Sequence, residues 1–213
     1  MVEYDLMPYQ IAPPPATNDP NFIVTNVGMT PEHLTTLRAY GDELLAKRPM
    51  MGRVGLNEYL IDKTRRVTLV GWLPTPEKDS ATDWMYKMGA DVAQAANAQF
   101  WQYDLWGFYD EMQYLLYKGN DVPAEQGHFG WHQDNGDESK RPQRKLSFSI
   151  ILSDPSEYTG GDFQFMDGSE RTIRQKDAGT TIIFPSWMVH RVTPVEQGER
   201  RAITGWLTGP KFK

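Results

Sequence analysis

Through the first hundred residues the apolar positions recur at helical spacing; beyond Phe100 they fall into short runs broken by Gly, Asp, Asn and Pro. Thr30-Pro31 predicts a helix start, with Thr30 capping the first turn and Pro31 at the first helical position, where no amide hydrogen is needed. Leu34, Leu37, Leu44 and Leu45 then share a face up to about Lys47, and Pro49 ends the element. Residues 65–73 alternate Val67, Leu69 and Gly71 with Thr68, Val70 and Trp72, as a strand does. Ser80 or Thr82 opens a second helix in which Trp84, Met88 and Val92 recur every four residues, to about Asn97. Residues 1–22, with Pro13-Pro14-Pro15 and little periodicity, predict an extended arm.

The second half predicts strands at 101–108, 112–117, 129–134, 145–153, 162–166, 180–184, 189–195 and 202–208. Short strands at such regular spacing predict an antiparallel sandwich or barrel, of which the jelly roll is one version. The expected fold is mainly β, with two flanking helices packed outside the sheets. The length of 213 residues suits a single domain, with 1–100 as a helical and strand support region and 101–213 as the β core.

Composition narrows the function classes. The absence of cysteine removes disulfides, thiolate ligands and cysteine nucleophiles. A net charge of −6 with scattered Lys and Arg argues against a nucleic-acid or anionic-membrane partner. The start, Met1-Val2-Glu3-Tyr4-Asp5, lacks the basic and apolar regions of a secretory signal, and no apolar run approaches spanning length. A cytoplasmic protein is expected.

There are four histidines. His33 falls in the first turn of a helix and reads as an ordinary surface or half-buried side chain. His128 shares strand parity with His132 and reads as a loop histidine. His132-Gln133-Asp134 places an imidazole and a carboxylate two residues apart, which in a strand puts both on one side. His190 begins another strand and would complete the two-His, one-carboxylate set that holds non-haem Fe(II) and leaves one face open. A His-x-Asp triplet also arises where the Asp merely orients the His. Gly198-Glu199-Arg200 predicts a tight reversal into a last strand, in which Arg200 shares a face with Ala202, Thr204 and Trp206; Arg201 has the opposite parity and is expected to face outward.

Five ordered blocks carry a resemblance. They are Met112–Gly119, Phe129–Asp134, Lys145–Asp154 with Gly160-Gly161-Asp162-Phe163, Gly179–Val195 and Gly198–Trp206. Together they resemble the catalytic core of the Fe(II)/2-oxoglutarate-dependent dioxygenases, in the prolyl 4-hydroxylase-like branch. The resemblance implies a double-stranded β-helix (jelly-roll) core with His132, Asp134 and His190 as iron ligands. It implies Arg200 as the partner of the distal C5 carboxylate of 2-oxoglutarate, Tyr117 as a co-substrate-pocket residue and Trp206 as a wall of the iron cavity. Tyr117 and Trp206 also read as plain buried aromatics. Two departures concern the substrate: Phe129 stands where related prolyl hydroxylases often carry Tyr, and Arg200 where many carry Lys.

The implied cofactor set is Fe(II), with 2-oxoglutarate and O2 as co-substrates and ascorbate as an accessory reductant. The implied reaction is hydroxylation of an unactivated C–H with release of succinate and CO2. Asp134 favours hydroxylation over halogenation, because related halogenases lose this carboxylate to admit halide. A peptide or protein substrate, peptidyl proline first, stands beside a free amino acid or other small molecule. A jelly-roll module that binds metal without turnover and a cupin-type dioxygenase are the remaining alternatives. Residues 120–126 and the charged loop 135–144, a candidate lid, are where substrate identity would lie.

Overall fold

The first helix forms where its cap is written. In the computed structural model, which describes residues 20–52, 61–135 and 142–211, α1 (Pro31–Lys47) begins at Thr30, whose hydroxyl accepts from the His33 amide at 3.2 Å. The Thr30 amide donates in return to His33 Nδ1 at 3.5 Å, so His33 is a capping residue. The second helix, α2 (Asp83–Gln99), has Thr82 at its N-cap as expected, without a side-chain cap bond from it. Asp79, rather than Ser80 or Thr82, provides the side-chain cap, accepting from Ala81 ahead of a 3-10 turn. The Thr82 hydroxyl instead donates back to the Pro74 and Asp79 carbonyls.

The strands, in chain order, are β1 (Ile23–Asn26), β2 (Arg66–Val67), β3 (Leu69–Trp72), β4 (Gly107–Phe108), β5 (Gln113–Lys118), β6 (His128–His132), β7 (Gln143–Ile151), β8 (Tyr158–Gly160), β9 (Phe163–Asp167), β10 (Ser169–Thr172), β11 (Thr180–Pro185), β12 (His190–Val192) and β13 (Val195–Gly209). Eight form one antiparallel sheet, in the order β1-β11-β7-β13-β5-β3 with β4 and β8 also on β13. Five form the other, in the order β10-β9-β12-β6-β2. This is the expected double-stranded β-helix, or jelly roll, with α1 and α2 against the outer face of the larger sheet.

Three strand expectations need correction. Residues 65–73 are two strands, because the chain crosses at Thr68 from the smaller sheet (β2) to the edge of the larger one (β3). Of 101–108 only Gly107–Phe108 pairs; Gln102 turns through φ 52° to close α2, and Trp101 packs into the helix-side core instead of joining a ladder. Gly198-Glu199 is not a reversal: β13 runs unbroken from Val195 to Gly209 and turns a corner at Gly198. At φ 75° with a Cβ position 1.9 Å from the Glu157 carbonyl oxygen, only glycine fits there.

Alternation along β5 separates two apolar layers. Tyr114 and Leu116 face the helices and pack with Leu37, Leu45, Met85 and Phe148. Leu115 and Tyr117 face the second sheet and pack with Phe163, Phe165, Ile182 and Phe184. The site lies on that second side. The Pro-rich arm and most of the proposed lid, residues 1–19 and 136–141, lie outside the described residues. No helix among the described residues is long and apolar enough to cross a membrane.

Candidate metal centre

Backbone register brings the two histidines together. His132 ends β6 and His190 begins β12, and the two are direct partners across the ladder. Asp134 comes from a bend beyond the strand, not from the strand itself as the His-x-Asp parity suggested. The Asp134 amide, donating 2.8 Å to the Ser186 carbonyl, holds that bend against the turn before His190. One ligand atom from each of the three residues lies within 4.8 Å of the others. His33 and His128 stay outside the group; His128 is tied by its ring to the Gln126 carbonyl, 2.8 Å from Nδ1.

The protons in this cluster can be placed. His132 Nδ1 is 2.8 Å from the Gly130 carbonyl and His190 Nδ1 is 2.9 Å from the Met188 carbonyl. A carbonyl only accepts, so each Nδ1 carries a hydrogen and each ring is oriented with Nε2 toward Asp134. Burial, reinforced by the neighbouring His190, pushes the His132 pKa down to about 3, so its ring is neutral at ordinary pH. The two Nε2 atoms each lie 3.6 Å from a different oxygen of Asp134. Burial alone would raise the Asp134 pKa; the two histidines, Arg144 and the Trp206 indole outweigh it and hold the carboxyl below its usual range. The two Nε2 atoms and the Asp134 carboxylate therefore converge on one point. That electrostatic arrangement is relieved by a cation, and its ligand types suit a non-haem iron centre.

The walls are aromatic and rigid. Phe129 stacks on His132 with centroids 3.5 Å apart, and Phe163 and Phe184 lie 5.4 and 4.6 Å from His190. The Phe129 ring also receives the buried Arg66 guanidinium, 4.3 Å from the centroid. Arg144 donates twice to Asp110 at 2.9 and 2.7 Å, donates 3.2 Å to the Asp134 carbonyl, and lies 3.8 Å above the Trp206 ring. Arg66, Arg144 and Asp110 were not legible as site residues, since nothing in the sequence ties them to His132 or Asp134.

Arg200 is 1% exposed, yet its Nε and Nη2 have no hydrogen-bond partner among the described residues. It is the register partner of Tyr117, whose ring centroid lies 5.5 Å from the guanidinium carbon. A buried, unpaired guanidinium is expensive, so it fits an anionic ligand that supplies the missing acceptors. Trp206 lies four residues beyond Ala202 on the same inner face, and its buried indole is the group that helps to hold the Asp134 carboxyl down. Arg201 faces the other way, bonded to Asp42 and Glu199.

Residues 112–208 match the model of the 2OG-Fe(II) oxygenase superfamily. A PKHD-type hydroxylase of Synechococcus elongatus is 39% identical over 82 residues, 37% of this chain and 37% of that relative. The matched stretch thus spans little more than a third of such relatives. Two solved structures share the fold: a Pseudomonas putida prolyl-4-hydroxylase (TM-score 0.66, 19% identity, 90% of this chain and 94% of that one) and a Trichoplax adhaerens prolyl hydroxylase in complex with a hypoxia inducible factor peptide fragment (TM-score 0.71, 17% identity, 88% and 83%). The superfamily's cofactors are Fe(II), 2-oxoglutarate and O2, and the converging two-His, one-carboxylate set together with the buried Arg200 fits the first two. Over residues 112–208, a little under half of its length, this chain is similar to the 2OG-Fe(II) oxygenase superfamily.

Proposed function

We propose that the chain is an Fe(II)- and 2-oxoglutarate-dependent dioxygenase that hydroxylates an unactivated C–H bond, with peptidyl proline as substrate class and succinate and CO2 as co-products. The observation that carries this reading is the occurrence, on the same inter-sheet side of the fold, of a three-donor cluster and a buried Arg200 whose Nε and Nη2 have no partner among the described residues. His132 Nε2, the Asp134 carboxylate and His190 Nε2 would hold the metal. Arg200 would hold the distal carboxylate of 2-oxoglutarate through its planar fork. When bound, the metal and co-substrate supply the O2 activation that converts C–H to C–OH.

The chain's own contribution is positional. The Gly130 and Met188 carbonyls fix both imidazole tautomers, and Ser186 and Arg144 pin the backbone on either side of Asp134. Phe129, Phe163 and Phe184 keep water from the histidines. Tyr117 sits against Arg200 and Trp206 against Arg144, contacts that support a co-substrate role for the first and a role beside the carboxylate ligand for the second. With Asp134 in place, no position is freed for halide.

A peptide substrate is favoured by the prolyl hydroxylases among proteins of this fold, one of them in complex with a peptide, and by the PKHD-type names of the relatives. Residues 1–213 are taken as one catalytic unit in the cytoplasm, with ascorbate sustaining turnover. The test is succinate release scored together with product mass, against proline-containing peptides and against free amino acids. A +16 Da peptide stoichiometric with succinate supports the proposal. Product only from free amino acids would move the substrate class to small molecules, and no substrate-dependent succinate from iron-loaded protein would remove the activity.

A further inference from the structure

One buried polar atom beside Arg200 remains unexplained. The Tyr158 hydroxyl has no hydrogen-bond partner among the described residues, although the residue is only 6% exposed. A buried phenol that could be replaced by phenylalanine is destabilising unless something accepts its hydrogen bond. Tyr158 starts β8 and pairs with Gly198, two residues before Arg200 on β13. Lys176 covers the outer side, 5.7 Å from the ring centroid, donating 3.1 Å to the Gly160 carbonyl and pairing with Asp162.

Gly161 brings the two side chains together. A Cβ built there would lie 2.9 Å from Arg200 Cδ, 2.9 Å from Val195 Cγ2 and 3.3 Å from Tyr158 Cε2. The φ of +60° also favours glycine. The Arg200 stem and the Tyr158 ring thus pack on the same bare Cα, and the two residues contribute three of the partnerless buried polar atoms. A carboxylate, with about four lone-pair sites on two oxygens, has acceptors enough for all three.

We propose that Tyr158 is a co-substrate-positioning residue whose hydroxyl, together with the Arg200 guanidinium, donates to the distal carboxylate of a short dicarboxylic 2-oxo acid. The inference rests on the 2-oxoglutarate reading above. It sharpens that reading by making the pocket select for the second carboxylate through a neutral donor as well as a cation.

The test uses the full chain, wild type and Tyr158→Phe, loaded with Fe(II) without oxygen. Binding is read from the visible charge-transfer band on titration with 2-oxoglutarate and, separately, with 2-oxobutanoate, which keeps the 2-oxo acid head but lacks the distal carboxylate. Tyr158→Phe is expected to weaken 2-oxoglutarate by roughly tenfold or more and to leave 2-oxobutanoate unchanged. Its melting temperature without ligand should equal or exceed the wild type's, because only a partnerless hydroxyl is removed; a hydroxyl with a structural role would lower it. Unchanged 2-oxoglutarate affinity, equal weakening of both acids, or a lowered melting temperature overturns the inference alone. If wild type shows no band with 2-oxoglutarate, the cofactor reading falls and takes the inference with it.

Discussion

Arg200 and Arg201 are neighbours in one strand and live in opposite worlds. Arg201 points toward α1, where Asp42 accepts from its Nε at 3.1 and 3.2 Å, Glu199 accepts from Nη2 at 2.6 Å, and Asp42 also receives the Tyr114 hydroxyl at 2.8 Å. Arg200 points between the sheets and leaves Nε and Nη2 without acceptors. The same division runs through the tyrosines: Tyr86, on the helix side, donates 2.7 Å to the Leu73 carbonyl, whereas Tyr158, on the inner side, has a partnerless hydroxyl. The helix-side layer is complete as a folded core. The inter-sheet layer is complete only with a ligand, and that asymmetry marks the functional side more plainly than any motif does.

The most severe way to break the asymmetry is to remove its centre. Asp134→Ala takes the carboxylate from the three-donor cluster and should abolish substrate-coupled turnover, read as succinate and product mass; near-native hydroxylation would refute the assignment. Next come the adjacent arginines. Arg200→Met should weaken 2-oxoglutarate by about 100-fold, on the order of two charge-assisted hydrogen bonds, with little loss of stability. Arg201→Met should do the reverse, lowering stability by about 1–2 kcal/mol in denaturant unfolding with unchanged co-substrate affinity. Equal effects of the two on affinity would erase the distinction between the layers.

Two glycines sharpen the contrast at smaller scale. Gly161→Ala, strained by its φ and pressing on Arg200, should raise the 2-oxoglutarate KM by several-fold with a loss of about 1–2 kcal/mol. Gly89→Ala, whose Cβ would meet Phe148 Cζ at 2.6 Å in the helix-side layer, should lower the melting temperature and spare the KM. The smallest effect belongs to the half-exposed pair of Arg38 with Glu157 at 2.7 Å. Glu157→Gln should change stability by less than about 1 kcal/mol, less still in high salt, despite lying next to Tyr158.

How much of this was written in the chain depends on the range of the interaction. The α1 cap, the alternation of β5, and the opposite facing of Arg200 and Arg201 are local periodicities, and the sequence displays them. Two distant imidazoles could be proposed as ligands because residue type and order carry chemistry, although the strand ends at His132 and a bend, not strand parity, delivers Asp134. The corner at Gly198 looked like a reversal, since a glycine that lets a strand turn between neighbours has the same local signature as one that ends it. Arg144, Arg66 and Tyr158 were invisible as site residues because their roles come from cross-chain packing: Asp110 beneath Arg144, Phe129 beneath Arg66, Gly161 between Tyr158 and Arg200. The consecutive Gly160-Gly161 was the available signal for the last, as two glycines ahead of a strand announce a close approach.

The central claim is that the inter-sheet cavity is built around a metal and a dicarboxylate that satisfy its unpaired groups. It is tested most directly by anaerobic titration of the wild-type chain, first with Fe(II) and then with 2-oxoglutarate, while recording the visible spectrum. The account predicts that iron alone gives no band and that 2-oxoglutarate brings up a weak charge-transfer band saturating at one equivalent per chain. Folded, iron-loaded protein that shows no such band at saturating 2-oxoglutarate would contradict it.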